Sequence, residues 1–178
     1  MTTLDSRCLE AFPGWLKSLA EDAQKLAGVL QHAEASPAAQ QSAASALNYL
    51  FKSLDLIPDG LEDLGFIDDA FVLRVAAALL DEGDRDADGV LVTLAADAAL
   101  ISEFLGPDYA RLERYVQKLS VGSARGRSVG QIVEDGAVRD EFVREVLQWA
   151  KTYTAPSFAR DTRSLVKLKS FLGSRLPA

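Results

Sequence analysis

Four aspartates, Asp55, Asp59, Asp68 and Asp69, stand within one short stretch, YLFKSLDLIPDGLEDLGFIDDAFVLRVAAALL at residues 49–80, with Glu62 and Asp63 between them. Carboxylates concentrated on a link between two rigid helices are what a hard cation such as Mg²⁺ or Ca²⁺ requires, since such ions take oxygen ligands. Paired carboxylates also serve as general acid and base in hydrolases, but no His or Lys lies between Asp55 and Asp69 to complete a catalytic set. The same residues read equally as helix punctuation. Pro58 ends the preceding helix, Asp59 caps a short turn with Glu62 three residues on, and Asp68 or Asp69 caps the next helix. A second acidic run, Asp84, Asp86, Asp88 and Gly89, matches positions 1, 3, 5 and 6 of a calcium loop, yet Ala95 stands at the twelfth position where a bidentate Glu is needed.

Other chemistry is sparse. One cysteine (Cys8) and one histidine (His32) leave no disulfide framework and no zinc set of Cys and His ligands. A cytoplasmic setting is expected. Cys8 falls in a frayed N-terminal end on this reading, and His32 in the last turn of the first helix. No uninterrupted apolar run of about 18–20 residues occurs, so no transmembrane segment is expected. At 178 residues and 48% hydrophobic content, one domain spanning residues 1–178 is expected.

The net charge of −7 argues against nucleic acid as a partner, because gripping phosphates takes a basic surface. It conceals an asymmetry: residues 54–108 hold fourteen acids and two bases, whereas residues 139–178 hold eight bases and four acids. The segment 157–173 reads as a basic amphipathic helix presenting Arg160, Arg163, Lys167 and Lys169, able to lie on an anionic membrane or in a partner's acidic groove.

The elements that must position these groups all read as helices. The fold expected is all-α, a single-domain helical bundle of about six to seven helices. The first begins near Pro13 and carries Leu16, Leu19, Ala23, Leu26 and Leu30 on one stripe. Ser36-Pro37 restarts the chain as cap and first helical residue. Arg74 is the one charge from Ala70 to Leu80 and Asp97 the one charge from Gly89 to Ser102, so the helices at residues 66–80 and 89–105 are expected to lie as two central ones. A buried charge needs a partner, so Arg74 should meet either Asp97 or a motif acid, the latter being favoured by the proximity of the linker. Further helices follow at Tyr109–Leu119, at Val138–Tyr153 and in the basic tail, which Gly173 terminates. Gly122 to Gly130, with Arg125, Arg127 and Ser128, reads as a loop.

The pattern Tyr49…Asp55-Leu56-Ile57-Pro58-Asp59…Leu64-Gly65-Phe66-Ile67-Asp68-Asp69 resembles the YkvA-like family, a bacterial and plant domain of unknown function, over residues 49–83. The resemblance implies a small helical fold and no particular reaction. Ser53 stands where the family usually has proline, and Gly60-Leu61-Glu62-Asp63 replaces a commonly apolar segment, which makes this linker more acidic. The function expected is a non-enzymatic binding or adaptor module, engaging a protein partner, a second copy of itself, or a membrane surface through the basic helix. The alternative is a divalent-metal-binding protein, extending to a metal-dependent hydrolase, that uses Mg²⁺ or Ca²⁺ at the acidic linker.

Overall fold

The computed structural model describes residues 1–52, 55–61, 63–85 and 89–178. Among these, the chain forms seven helices of ten residues or more and one of six: α1 (Thr3–Gln31), α2 (Pro37–Tyr49), α3 (Ile67–Ala78), α4 (Val90–Leu105), α5 (Tyr109–Lys118), α6 (Val129–Glu134), α7 (Gly136–Thr152) and α8 (Thr162–Arg175). The fold is an all-α bundle. One apolar cluster runs continuously from Cys8 on α1 to Leu176 beyond α8.

Helix α1 starts ten residues before Pro13. Thr2 and Asp5 form a reciprocal capping box, with the Asp5 amide donating to Thr2 Oγ1 at 3.0 Å and the Thr2 amide to Asp5 Oδ2 at 3.1 Å. That cap nucleates a helix strong enough to carry Pro13 in its interior, so the expected start near Pro13 is corrected. The apolar stripe then extends backwards through Phe12, Leu9 and Cys8, and Cys8 is buried in the core, not frayed. Ser36 and Pro37 start α2 as cap and first residue, Ser36 Oγ accepting from the Ala39 amide.

Helix α3 is the centre of the bundle. It is buried from Ile67 through Ala77 and packs mainly on α4 and α2. Helix α4 is not its equal: Val90, Leu91, Leu94, Ala98, Ile101, Phe104 and Leu105 are buried, while Val92, Ala96 and Ala99 face outward. Its composition is apolar all round, but neighbours cover only one side. By length and composition alone, the helical stretch Val90–Val121 is apolar enough to cross a membrane, although charged residues interrupt its apolar run. Asp97 lies on its partly buried side, and Gly106-Pro107 interrupts it with a 3₁₀ turn.

Arg74 is 2% exposed. Its Nε donates to Asp97 Oδ2 at 3.0 Å, one terminal nitrogen reaches Asp22 Oδ2 of α1 at 3.4 Å, the other donates to the Ala70 carbonyl at 3.1 Å, and the guanidinium lies 4.3 Å from the centre of the Trp15 ring. The favoured motif-acid partner is therefore corrected. On a helix turning roughly 100° per residue, Asp68 and Asp69 project far round α3 from Arg74, toward the linker, while Arg74 faces α1 and α4. Asp22 carried a readable signal, since it falls on the apolar stripe of α1 between Leu19 and Leu26.

Residues 122–130 are more ordered than a loop. Ser123–Ala124 and Arg127–Ser128 pair antiparallel, closed by Arg125 (φ 50) and Gly126 (φ 77). Two successive positive φ values define a hairpin turn whose twist matches the strands. Ser128 then caps α6 with a second capping box. The basic tail also differs from expectation. Asp161 caps α8, so Arg160 lies ahead of the helix in extended chain, and the helix passes Gly173 to end at Arg175. Arg111 of α5 supplies the terminator, donating to the carbonyls of Gly173, Leu176 and Pro177.

Candidate metal centre

The linker between α2 and α3 is set from both ends. Helix α2 stops at Tyr49, well before Pro58, as Leu50, Phe51 and Lys52 tighten into i→i+3 bonds onto the carbonyls of Leu47, Asn48 and Tyr49. Pro58 therefore does not end α2. The Leu61 amide then donates to the Pro58 carbonyl at 3.0 Å and the Gly65 amide to the Leu61 carbonyl at 2.7 Å. Leu56, Ile57, Leu64 and Ile67 are buried and pin this excursion to the core.

The aspartates are not caps. Phe66, in the left-handed region at φ 67, precedes α3 with no side-chain cap bond, and Asp59 sits in a turn that starts no helix. The proposed capping partner Glu62 lies outside the described residues. Asp68 and Asp69 occupy the first turn of α3, each 1% exposed, where the helix N-terminus favours negative charge. The Tyr49 hydroxyl donates to Asp68 Oδ2 at 2.6 Å and accepts from the Leu56 amide at 2.8 Å, and the Ile57 amide donates to the same Oδ2 at 3.2 Å. Tyr49 thus joins the end of α2, the linker and the start of α3 through one oxygen. The sequence marked it only as part of a pattern.

Asp68 uses one oxygen in this network. Its Oδ1, together with Asp69 Oδ2 and Asp55 Oδ1, is buried with no hydrogen-bond partner among the described residues. Asp59, Asp68 and Asp69 each bring a carboxylate oxygen within 4.8 Å of the others, a spread compatible with one ion holding each ligand at roughly 2.0–2.6 Å. Asp55 lies near enough to Asp59 and Asp68 for their charges to act on its carboxyl. Asp59 is the one exposed member, so the cluster opens outward through it.

Electrostatics follow from that crowding. Burial, then the charges of Asp59 and Asp68, push the Asp55 carboxyl up to about 8. Burial pushes Asp68 up to about 6 against the opposing bonds from Tyr49 and Ile57. Asp69 is driven well above the usual carboxylate range, first by burial and then by Asp68, Asp59 and Asp55. Asp59 is raised by burial, and the Tyr49 phenol is raised by burial and by Asp68, which keeps it a donor. Such a group must hold protons or a cation, because unpaired buried charges of one sign are too costly to persist.

Of the second acidic run, Asp84 ends a 3₁₀ turn at Glu82–Asp84, while Asp86 and Asp88 lie outside the described residues. Gly89 stands just ahead of α4 at φ 74. In the basic tail, Arg160, Arg163, Lys167 and Lys169 are exposed, but Lys167 Nζ is engaged by Asp63 at 2.8 Å, which ties α8 to the acidic linker.

Residues 42–74, from within α2 through the linker to Arg74, match the family described as a protein of unknown function (DUF1232). No curated protein and no solved structure matches the chain. The family match covers every member of the carboxylate cluster and the tyrosine that orients it.

Proposed function

We propose that the chain is a helical binding module whose linker takes a divalent cation, Mg²⁺ or Ca²⁺, through Asp59, Asp68 and Asp69, with Asp55 neutralised alongside. Two observations together carry this reading: Asp68 and Asp69 each keep a buried oxygen, Oδ1 and Oδ2 respectively, without a partner among the described residues, and Asp59, Asp68 and Asp69 bring carboxylate oxygens within 4.8 Å of one another. An ion there would replace several mutually repelling charges by oxygen–metal contacts and lock the linker to α3. The role is structural and recognitional, not hydrolytic. The DLIPD…LGFIDD pattern supports placing the module among the YkvA-like proteins. The exposed bases Arg163 and Lys169 on α8 offer a second face to a protein partner, a further copy of the chain or an anionic membrane.

The test is a titration of Mg²⁺ and of Ca²⁺ against thermal or urea unfolding at neutral pH. An ion that binds only the folded state stabilises by RT ln(1 + [L]/Kd), about 2.7 kcal/mol at a hundredfold excess over Kd. Asp69→Asn should abolish that gain while leaving the protein folded, since the amide removes a charge without changing shape. An unfolding midpoint indifferent to both ions in the native chain would defeat the reading.

A further inference from the structure

Beside the carboxylate cluster lies a cleft of about 530 Å³, with Phe51, Lys52, Asp59, Ser123 and Arg125 among its walls, a volume typical of small-molecule sites, roughly 300–1,000 Å³. Its chemistry is unusual for this acidic region. Lys52 Nζ is held over the Tyr115 ring, 5.1 Å from its centre, and donates to the Tyr115 hydroxyl at 3.2 Å. The Arg125 guanidinium lies 4.6 Å from the centre of the Phe51 ring. Neither base pairs with a carboxylate among the described residues, whereas Arg127, two residues on, is bonded to Glu145. Aromatic faces fix both cations without consuming all their N–H groups. Arg125 also occupies the left-handed region at φ 50, where asparagine or glycine is the easier choice for this turn. Its side chain is kept there at a conformational cost.

Asp59 belongs to both places: it is a wall of the cleft and the exposed member of the cation cluster. We propose that the cleft binds a phosphate-bearing ligand, its phosphate gripped by Lys52 and Arg125 and neutralised by the cation at Asp59. This rests on the cation reading above. Without the ion, an anion would approach an acidic cluster whose remaining negative charge repels it; with the ion, cation and phosphate favour each other's binding, and linkage makes that coupling reciprocal. The ring of Phe51 and the hydroxyl of Ser123, both walls of the cleft, suit the remainder of such a molecule.

The probe is inorganic pyrophosphate, titrated calorimetrically into the whole chain in Mg²⁺ and in chelator, with matched titrations into buffer. Binding should appear in Mg²⁺ and weaken by about tenfold or more without it, and Lys52→Gln and Arg125→Asn should each weaken it by about tenfold, the loss of roughly one charge-assisted hydrogen bond. Asparagine suits the turn at 125, so that variant stays folded, and both variants should keep the Mg²⁺-dependent rise in unfolding midpoint. Vesicles containing phosphatidic acid, run in parallel, separate two sources of the phosphate. Sedimentation abolished by Lys52→Gln and Arg125→Asn assigns it to a lipid headgroup; pyrophosphate binding without sedimentation assigns it to a soluble ligand. If Mg²⁺ raises the midpoint but neither pyrophosphate nor vesicles bind, or if the two variants bind as the native chain does, the inference falls and the cation reading stands. If Mg²⁺ changes nothing, both fall.

Discussion

Replacing Arg74 by methionine should destabilise the protein by about 3–5 kcal/mol, the cost of breaking a buried ion pair by removing one partner. The residue is 2% exposed and joins three helices: α3, on which it sits, α4 through Asp97 and α1 through Asp22. Methionine fills much of the volume, so the loss isolates the polar term. Asp22 is left the worse off. Its side chain is 14% exposed against 32% for Asp97, and burial already raises its carboxyl against the pull of Arg74. In the variant Asp22 loses the guanidinium that offsets its burial and keeps Ser18 as its hydrogen-bond partner among the described residues. Adding Asp22→Asn to Arg74→Met should therefore recover part of the loss. Urea unfolding of the two variants and the double variant reads the coupling directly, and a loss under about 0.5 kcal/mol for Arg74→Met would show that the pairs contribute nothing net.

Gly65→Ala should cost about 2–3 kcal/mol, at the upper end for overpacking, and should blunt the response to cation as well. A Cβ at residue 65 would stand 2.3 Å from the Asp59 carbonyl oxygen and 3.0 Å from that of Leu61. Both are backbone atoms, so neither can rotate away. The turn must open, and Asp59 moves with it, out of reach of Asp68 and Asp69. Gly60→Ala is the matched control: nothing lies within 4 Å of its added carbon, and a change within about 0.5 kcal/mol is expected of such an open site. Equal stability losses at the two positions, or a Gly65→Ala protein with an intact cation response, would contradict the tight crossing of residues 59 and 65.

Much of this was legible from local rules. Ser36-Pro37 opens α2 because a capping hydroxyl and a fixed φ act within one turn, and the stripe of α1 follows from helical period alone. What failed was inference from a single residue to its wider surroundings. Pro13 looked like a helix start, but the Thr2–Asp5 box lies upstream and outweighs one missing amide. Helix α4 looked central, yet apolar composition does not say which sides have neighbours. Arg125-Gly126 carries no strong hairpin signal because arginine is a poor residue at positive φ.

The candidate site divides in the same way. That Asp55, Asp59, Asp68 and Asp69 lie near one another could be read from their spacing. That Asp68 and Asp69 are buried, with one oxygen of Asp68 held by Tyr49 and Ile57 and the other without a partner among the described residues, depends on how the linker folds back across the start of α3. Capping rules assign such acids to exposed helix ends, so local reasoning pointed away from the burial on which the proposed cation site rests. Asp22 was likewise visible as a charge on an apolar stripe, but its partner is 52 residues away.

The most direct measurement is folding stability against pH, with and without divalent cation. Asp68, raised to about 6, and Asp55, raised to about 8, bind protons more tightly folded than unfolded, where a carboxyl titrates near 3.8. Between those values the folded state holds more protons, so stability in chelator must fall as pH rises from about 4 toward 8. The contribution is complete at the acid end and lost through the folded-state values. A cation competes with the protons of Asp68 and Asp69 for the same oxygens, and its charge disfavours the proton on neighbouring Asp55, so its effect runs the other way: little at pH 4, growing toward pH 8. Saturating Mg²⁺ or Ca²⁺ should therefore flatten or reverse the decline, and Asp69→Asn should restore the same profile with and without ion. Parallel profiles for the native chain in ion and in chelator across that range would contradict the cation site.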